Sequence, residues 1–93
     1  MNMNRILPIG SVVMLRNAKK PVMIFGYLQQ SSLHPGKIAD YIGVPYPEGN
    51  LDMTMQYGFM MSDITEVLFE GYRSEDFEPW ANLLEIKALG EKK

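Results

Sequence analysis

Few residues in this chain are equipped for acid, base, nucleophilic or metal chemistry, and those few are scattered. The single histidine, His34, stands beside Pro35 in a polar stretch. An imidazole serves as a general base when a partner orients its ring, and no neighbour in the sequence supplies one. Metal binding through nitrogen and carboxylate needs a cluster at ligand spacing. There is no histidine pair, and Asp63, Glu66 and Glu70 read as a helix cap and the solvent side of a strand. The absence of cysteine excludes disulfides, thiolate metal sites and a cysteine nucleophile. No Gly-x-x-x-x-Gly-Lys phosphate loop or dinucleotide fingerprint occurs. A carboxylate pair that meets only in space stays open as a hydrolase arrangement. The expectation is a non-enzyme with no cofactor and no metal site.

The residue types suited to binding are more numerous. Eight methionines include Met53, Met55, Met60 and Met61 in one short span. Methionine is flexible and polarizable, so it fills irregular gaps in a core or adapts to a partner. Tyr41, Tyr46 and Tyr57 flank the same region, with Tyr46 held between Pro45 and Pro47 in DYIGVPYPEGN. A ring on a stiff connection loses little entropy on binding. Trp80 is either a core residue or an interface anchor. Tyr41, Tyr46, Met53, Met55, Tyr57 and Trp80 are therefore the candidate partner-binding residues. Arg16, Lys19, Lys20 and Lys37 with Tyr27 would suit single-stranded nucleic acid if they gathered on one face. The net charge of −2 weighs against that, and against anionic lipid.

The elements that must carry these residues are short. Residues 11–16, SVVMLR, are β-branched and apolar on both pleat faces, as in a strand covered on two sides. VMIFGYLQQ, 22–30, is a longer strand, with Val22, Ile24, Gly26 and Leu28 on one face and Met23, Phe25 and Tyr27 on the other. Gly26 marks a bulge or bend. A loop at 31–36 leads to a third strand at 37–44, where Asp40 shares a face with Ile38, Ile42 and Val44 and needs water or a donor. QYGFMM, 56–61, is the fourth strand. Ser62-Asp63-Ile64 opens a single helical turn. EVLFEGY, 66–72, is the fifth strand, with Val67 and Phe69 on one face and Glu66, Leu68, Glu70 and Tyr72 on the other. A helix from Ser62 through Phe69 is its alternative reading.

The last segment is the clearest helix. Ser74 is a capping residue, Glu75, Asp76 and Glu78 favour the positive end of the dipole, and Pro79 suits a first turn. Phe77, Trp80, Ala81, Leu84 and Ala88 recur at helical spacing, Leu83 widens the stripe, and Gly90 is placed to stop it. Strands followed by a helix predict an α+β fold. About five antiparallel strands form a strongly bent sheet or small SH3-like barrel, with one C-terminal amphipathic helix over an open edge or end.

With 93 residues, 46% of them apolar and 22% charged, the chain makes one small domain, assigned here to 6–90 with loose ends at 1–5 and 91–93. No apolar run approaches the roughly 20 residues of a membrane helix, and the N-terminus lacks a signal-peptide pattern. The expected location is the cytoplasm, with no membrane or nucleic-acid partner.

Four stretches in order carry a resemblance: LPIGSVVML (7–15), PVMIFGYLQ (21–29), DYIGVPYPEGN (40–50) and ITEVLFEGY (64–72). Together they resemble a family of small bacterial proteins catalogued as a domain of unknown function, family four-one-seven-six, over about residues 6–73. The resemblance implies an accessory product of Gram-positive type VII secretion loci, near LXG-domain toxins. The implied role is an adaptor, chaperone or targeting partner of an exported LXG effector or its small helical companions. An immunity protein for a toxin of the same locus, a small-barrel nucleic-acid binder and a homodimer are the competing expectations. The family brings no catalytic residues to carry over.

Overall fold

The computed structural model describes the backbone of residues 6–30 and 38–91. The expectations for His34, Lys37 and the 31–36 loop lie outside the described residues. Five strands come first: β1 (Val12–Leu15), β2 (Val22–Gln30), β3 (Ile38–Pro45), β4 (Tyr57–Phe59) and β5 (Ile64–Phe69). One helix follows, α1 (Phe77–Glu91). Single 3-10 turns occupy Met53–Met55 and Met61–Asp63. The 62–69 segment is thus a turn and a strand rather than a helix.

The sheet order is β4-β3-β2-β1-β5, antiparallel at every pairing. The chain runs as a meander from β1 to β4 and then returns to place β5 on the free side of β1. No pairing joins β4 to β5, so the sheet is bent but open. The fold is α+β, as its sequence predicts, in the bent-sheet form rather than a closed barrel.

Both faces of the middle strands are covered, which explains their near-continuous apolar runs. One core cluster gathers Leu7, Val13, Val22, Ile24, Tyr41 and Phe59. A smaller one joins Phe77 and Ala81 of α1 to Ile6, with Tyr27, Met61 and Leu84 packed against it. Each large side chain buried this way is worth about 1.5–3 kcal/mol.

Two strands break their expected alternation. In β2 the register shifts between Ile24 and Gly26, so Phe25 is the extra residue of a bulge. Beyond it, Tyr27 pairs with Tyr41 and packs on the same cluster as Ile24. A strict period of two would put Tyr27 on the opposite face; the inserted residue reverses the parity.

In β5, Val12 pairs with Phe69, Val13 with Val67, Met14 with Glu66 and Leu15 with Ile64. Thr65 and Leu68 are the residues left over. Val67 and Phe69 therefore flank side chains on opposite faces of β1, not one face as the alternation predicts. Residues 65–69 are all exposed along this outer strand.

Helix α1 begins at Phe77, with Pro79 in its first turn, and runs through Gly90 to Glu91. Gly90 is not the stop; a glycine near a helix end weakens the last turn without ending it. The buried stripe is narrower than the sequence pattern, because Leu83 faces outward and Trp80 is partly exposed.

Candidate functional site

Where Asp40 shares a face with apolar residues, it finds the donor it needs. Its carboxylate accepts the backbone N–H of Met61 at 2.7 Å, tying the turn after β4 onto β3. Asp63 in turn accepts the N–H of Met60 at 3.0 Å. These acids are structural. Among the described residues no group of three or more histidine, cysteine or carboxylate side chains is placed to hold a metal ion.

The six residues singled out for binding fall into three places. Tyr41 is 1% exposed, stacked on Phe59 with ring centroids 5.6 Å apart. It is a core residue and leaves the candidate surface, because β3 is covered on both faces. Tyr46, Met53 and Tyr57 are exposed and Met55 is half-buried, all at the β3–β4 end. Tyr46 follows the buried Pro45, and its N–H bonds to the Pro21 carbonyl at 3.0 Å. Tyr57 lines a cleft of about 280 Å³ with Lys19, Lys20 and Pro45. Of the basic residues expected around Tyr27, the described ones, Arg16, Lys19 and Lys20, do not line either cleft that holds its ring. Lys20 pairs with Glu48 at 2.6 Å, and the Arg16 guanidinium donates to the Ser62 carbonyl at 2.6 Å.

Trp80 sits elsewhere, in the most aromatic site of the described structure. A cleft of about 420 Å³ is lined by Pro8, Ile9, Tyr27, Tyr72, Ser74, Asp76, Phe77 and Trp80. Its walls come from four separate pieces of chain: the turn before β1, the middle of β2, the segment after β5, and the first turn of α1. The Trp80 ring lies 5.1 Å from Tyr27 at 55° and 6.4 Å from Phe77 at 39°. Tilted rings at these separations are the favoured arrangement for aromatic groups.

One buried hydroxyl holds two of those pieces together. Ser11, 0% exposed, donates to the Pro8 carbonyl at 2.7 Å and accepts the Gly71 N–H at 2.9 Å. Gly71 passes so close to the Ile9 carbonyl that a Cβ there would overlap it. Only glycine permits this approach. The clasp anchors the backbone just before Tyr72, which lines the same cleft as Ile9 and is itself 84% exposed.

The floor of the cleft is fixed as firmly. The Tyr27 hydroxyl donates to the Leu7 carbonyl, and the Leu7 N–H donates to the Tyr41 hydroxyl at 3.2 Å. Burial raises the Tyr27 phenol well above its ordinary range, with Tyr41 adding to the effect and Arg73 opposing it. Burial likewise raises Tyr41, against its Leu7 bond and with Asp40 nearby. Both tyrosines are neutral structural groups, and what Tyr27 offers the cleft is its ring.

Arg73 borders this site. Its guanidinium stacks over Phe77 at 4.9 Å and binds Glu70 at 2.6 Å and Glu78 at 3.3 Å. The hydrogen bond from Arg73 holds the Glu70 carboxyl below its usual range. Arg73 also closes one end of a shallow groove of about 590 Å³ along β5, lined by Leu7, Met61, Ile64 and residues 65–70. That outer strand is guarded by its two irregular pairings and by Glu66 and Glu70, the devices that discourage edge-to-edge pairing.

The sequence pattern pointed to Trp80 but not to Tyr72, Tyr27 or Asp76 as its neighbours. The available signal was the glycine-tyrosine pair at 26–27 and again at 71–72, the first next to the bulge at Phe25 and the second at the close approach to Ile9. Among the described residues no helix is long and apolar enough to cross a membrane. No curated protein and no solved structure matches the chain significantly. Three of the four stretches that carry the family resemblance, LPIGSVVML, PVMIFGYLQ and ITEVLFEGY, meet at the Ser11 clasp and the aromatic cleft. A family model matches residues 6–78, most of the chain, and the protein belongs to the family described as Domain of unknown function (DUF4176).

Proposed function

We propose that this protein is a non-enzymatic, protein-binding accessory factor, an adaptor, chaperone or targeting partner for an exported LXG-type effector of a type VII secretion system. The observation that carries the binding role is Tyr72. It is a large ring almost wholly in water, on a backbone anchored one residue earlier, at the close-packed Gly71, by a buried hydroxyl. A position built with that much buried hydrogen bonding to display a ring fits recognition better than packing. Aromatic residues so placed, beside Trp80, are the type that dominates protein interfaces. The effector's identity rests on the family resemblance.

The test is affinity purification of the tagged protein from its native cells, followed by mass spectrometry and by pairwise co-expression with each candidate. Recovery of an LXG effector or its small helical companions, reproduced in the pairwise complex, is the expected result. Failure of every neighbouring gene product to co-purify refutes it.

A further inference from the structure

We propose that the cleft between the sheet and α1 takes a basic, proline-containing segment of the partner in an extended polyproline conformation. The inference rests on the protein-binding reading above and names what the partner presents.

Three features of the cleft select this ligand. First, its lining is mostly aromatic rings with Pro8 and Ile9, drawn from four chain segments, and the strands contribute a single residue, Tyr27. A guest β-strand needs a run of unpaired backbone groups along one strand edge, which this lining does not provide. A polyproline helix keeps its backbone in water and docks through its rings, so it needs no ladder.

Second, the rings stand at 55° and 39° to one another. Aromatic-lined grooves of this kind are the surfaces on which proline-rich segments dock. Third, the cleft is acidic. Asp76 lines it, Glu75 adjoins it, and neither forms an ion pair among the described residues. Arg73, which borders the cleft, is already engaged by Glu70 and Glu78, while Lys87 lines the adjoining cleft that shares Tyr27 and Trp80 with this one. An arginine or lysine flanking the prolines therefore meets the Asp76 carboxylate, which has no ion pair among the described residues, in a cleft that Trp80 and Tyr72 also line.

Trp80 is the only tryptophan of the chain, so its emission reports on this cleft directly. The probe is a capped octapeptide of prolines and leucines with an arginine at each end. Its controls are a twin with glutamate for arginine and a twin with alanine for proline. The expected result is a saturable shift of Trp80 emission with the first peptide and none with either control. Tyr72→Ala, at an exposed position, should weaken binding about tenfold with an unchanged urea midpoint, and Asp76→Lys should abolish it.

An unmoved Trp80 spectrum at millimolar peptide, or equal response to either control, overturns the proposal. So does a concentration-dependent dimer that Tyr72→Ala breaks, since the occupant is then a second copy. An effector that co-purifies equally with wild type and with Tyr72→Ala, Asp76→Lys overturns the cleft assignment while leaving the protein-binding function standing. Peptide docking without capture of any effector supports the cleft and refutes the export role.

Discussion

Ser11→Ala is the perturbation that tests the architecture of the site most directly. The hydroxyl has two partners, and they do not lose equally. The Pro8 carbonyl also accepts the Ser11 backbone N–H at 3.2 Å, so it keeps one donor. The Gly71 N–H has the hydroxyl as its acceptor and lies buried. Leaving such a donor unsatisfied costs about 1–3 kcal/mol, and the lost bond to Pro8 adds about 1 kcal/mol. The expected destabilisation is about 2–4 kcal/mol. A domain of this length has a total stability of roughly 5–14 kcal/mol, so the change is a large share. At about 4–8 °C per kcal/mol for a domain of this size, 3 kcal/mol lowers the thermal midpoint by roughly 12–24 °C. Urea unfolding followed by far-ultraviolet dichroism gives the free energy, with an unchanged slope showing that the folded state stays compact. A loss below about 0.5 kcal/mol, the range of ordinary surface substitutions, would refute the view that this hydroxyl fastens the 71–72 segment to the turn at 8–11.

Gly71→Ala should cost about 2–3 kcal/mol by forcing the backbone away from Ile9, whereas Gly49→Ala, at φ 80° with open space around it, should cost only about 1 kcal/mol; parallel urea curves separate them. Asp40→Ala removes the acceptor for the Met61 N–H and should destabilise by about 1–3 kcal/mol in the same assay. Because the folded state raises both buried phenols, the folded protein holds those protons more tightly than the unfolded chain, whose tyrosines titrate near pH 10. Their contribution is complete below pH 10 and falls as pH rises beyond it; urea midpoints from pH 8 to 11.5 should drop more steeply for wild type than for Tyr27→Phe.

The fold class was legible because its signals are local. Strand alternation, Gly26 in mid-strand, and Pro79 followed by Trp80, Ala81 and Leu84 each specify an element within a few residues. The site was less so. Tyr41 and Tyr46 stand in one motif, and period alone does not tell which face of β3 another element covers; here both faces are covered, and only the ring beyond Pro45 escapes. Tyr27 was assigned to the wrong side because one extra residue at Phe25 reverses the parity of everything after it. The neighbourhood of Trp80 was illegible for a further reason. Its walls lie at positions 8–9, 27, 72–77 and 80, and only the return of β5 to β1 brings the first to the last.

That return has a consequence for synthesis. The free edge of β1 waits for a strand made 54 residues later, counting from Val13 to its partner Val67. At about 5–20 residues per second on the ribosome, the Val-Val-Met-Leu edge stays unpaired for about 3–11 s, longer than a small β-domain needs to fold once complete. Through that interval the nascent chain shows an apolar strand edge without the bulged, glutamate-bearing cover that later protects it. The step most exposed to aggregation is therefore translation itself, and slower transcription or lower temperature during expression should raise the soluble yield less than supplying a chaperone that shields nascent chains.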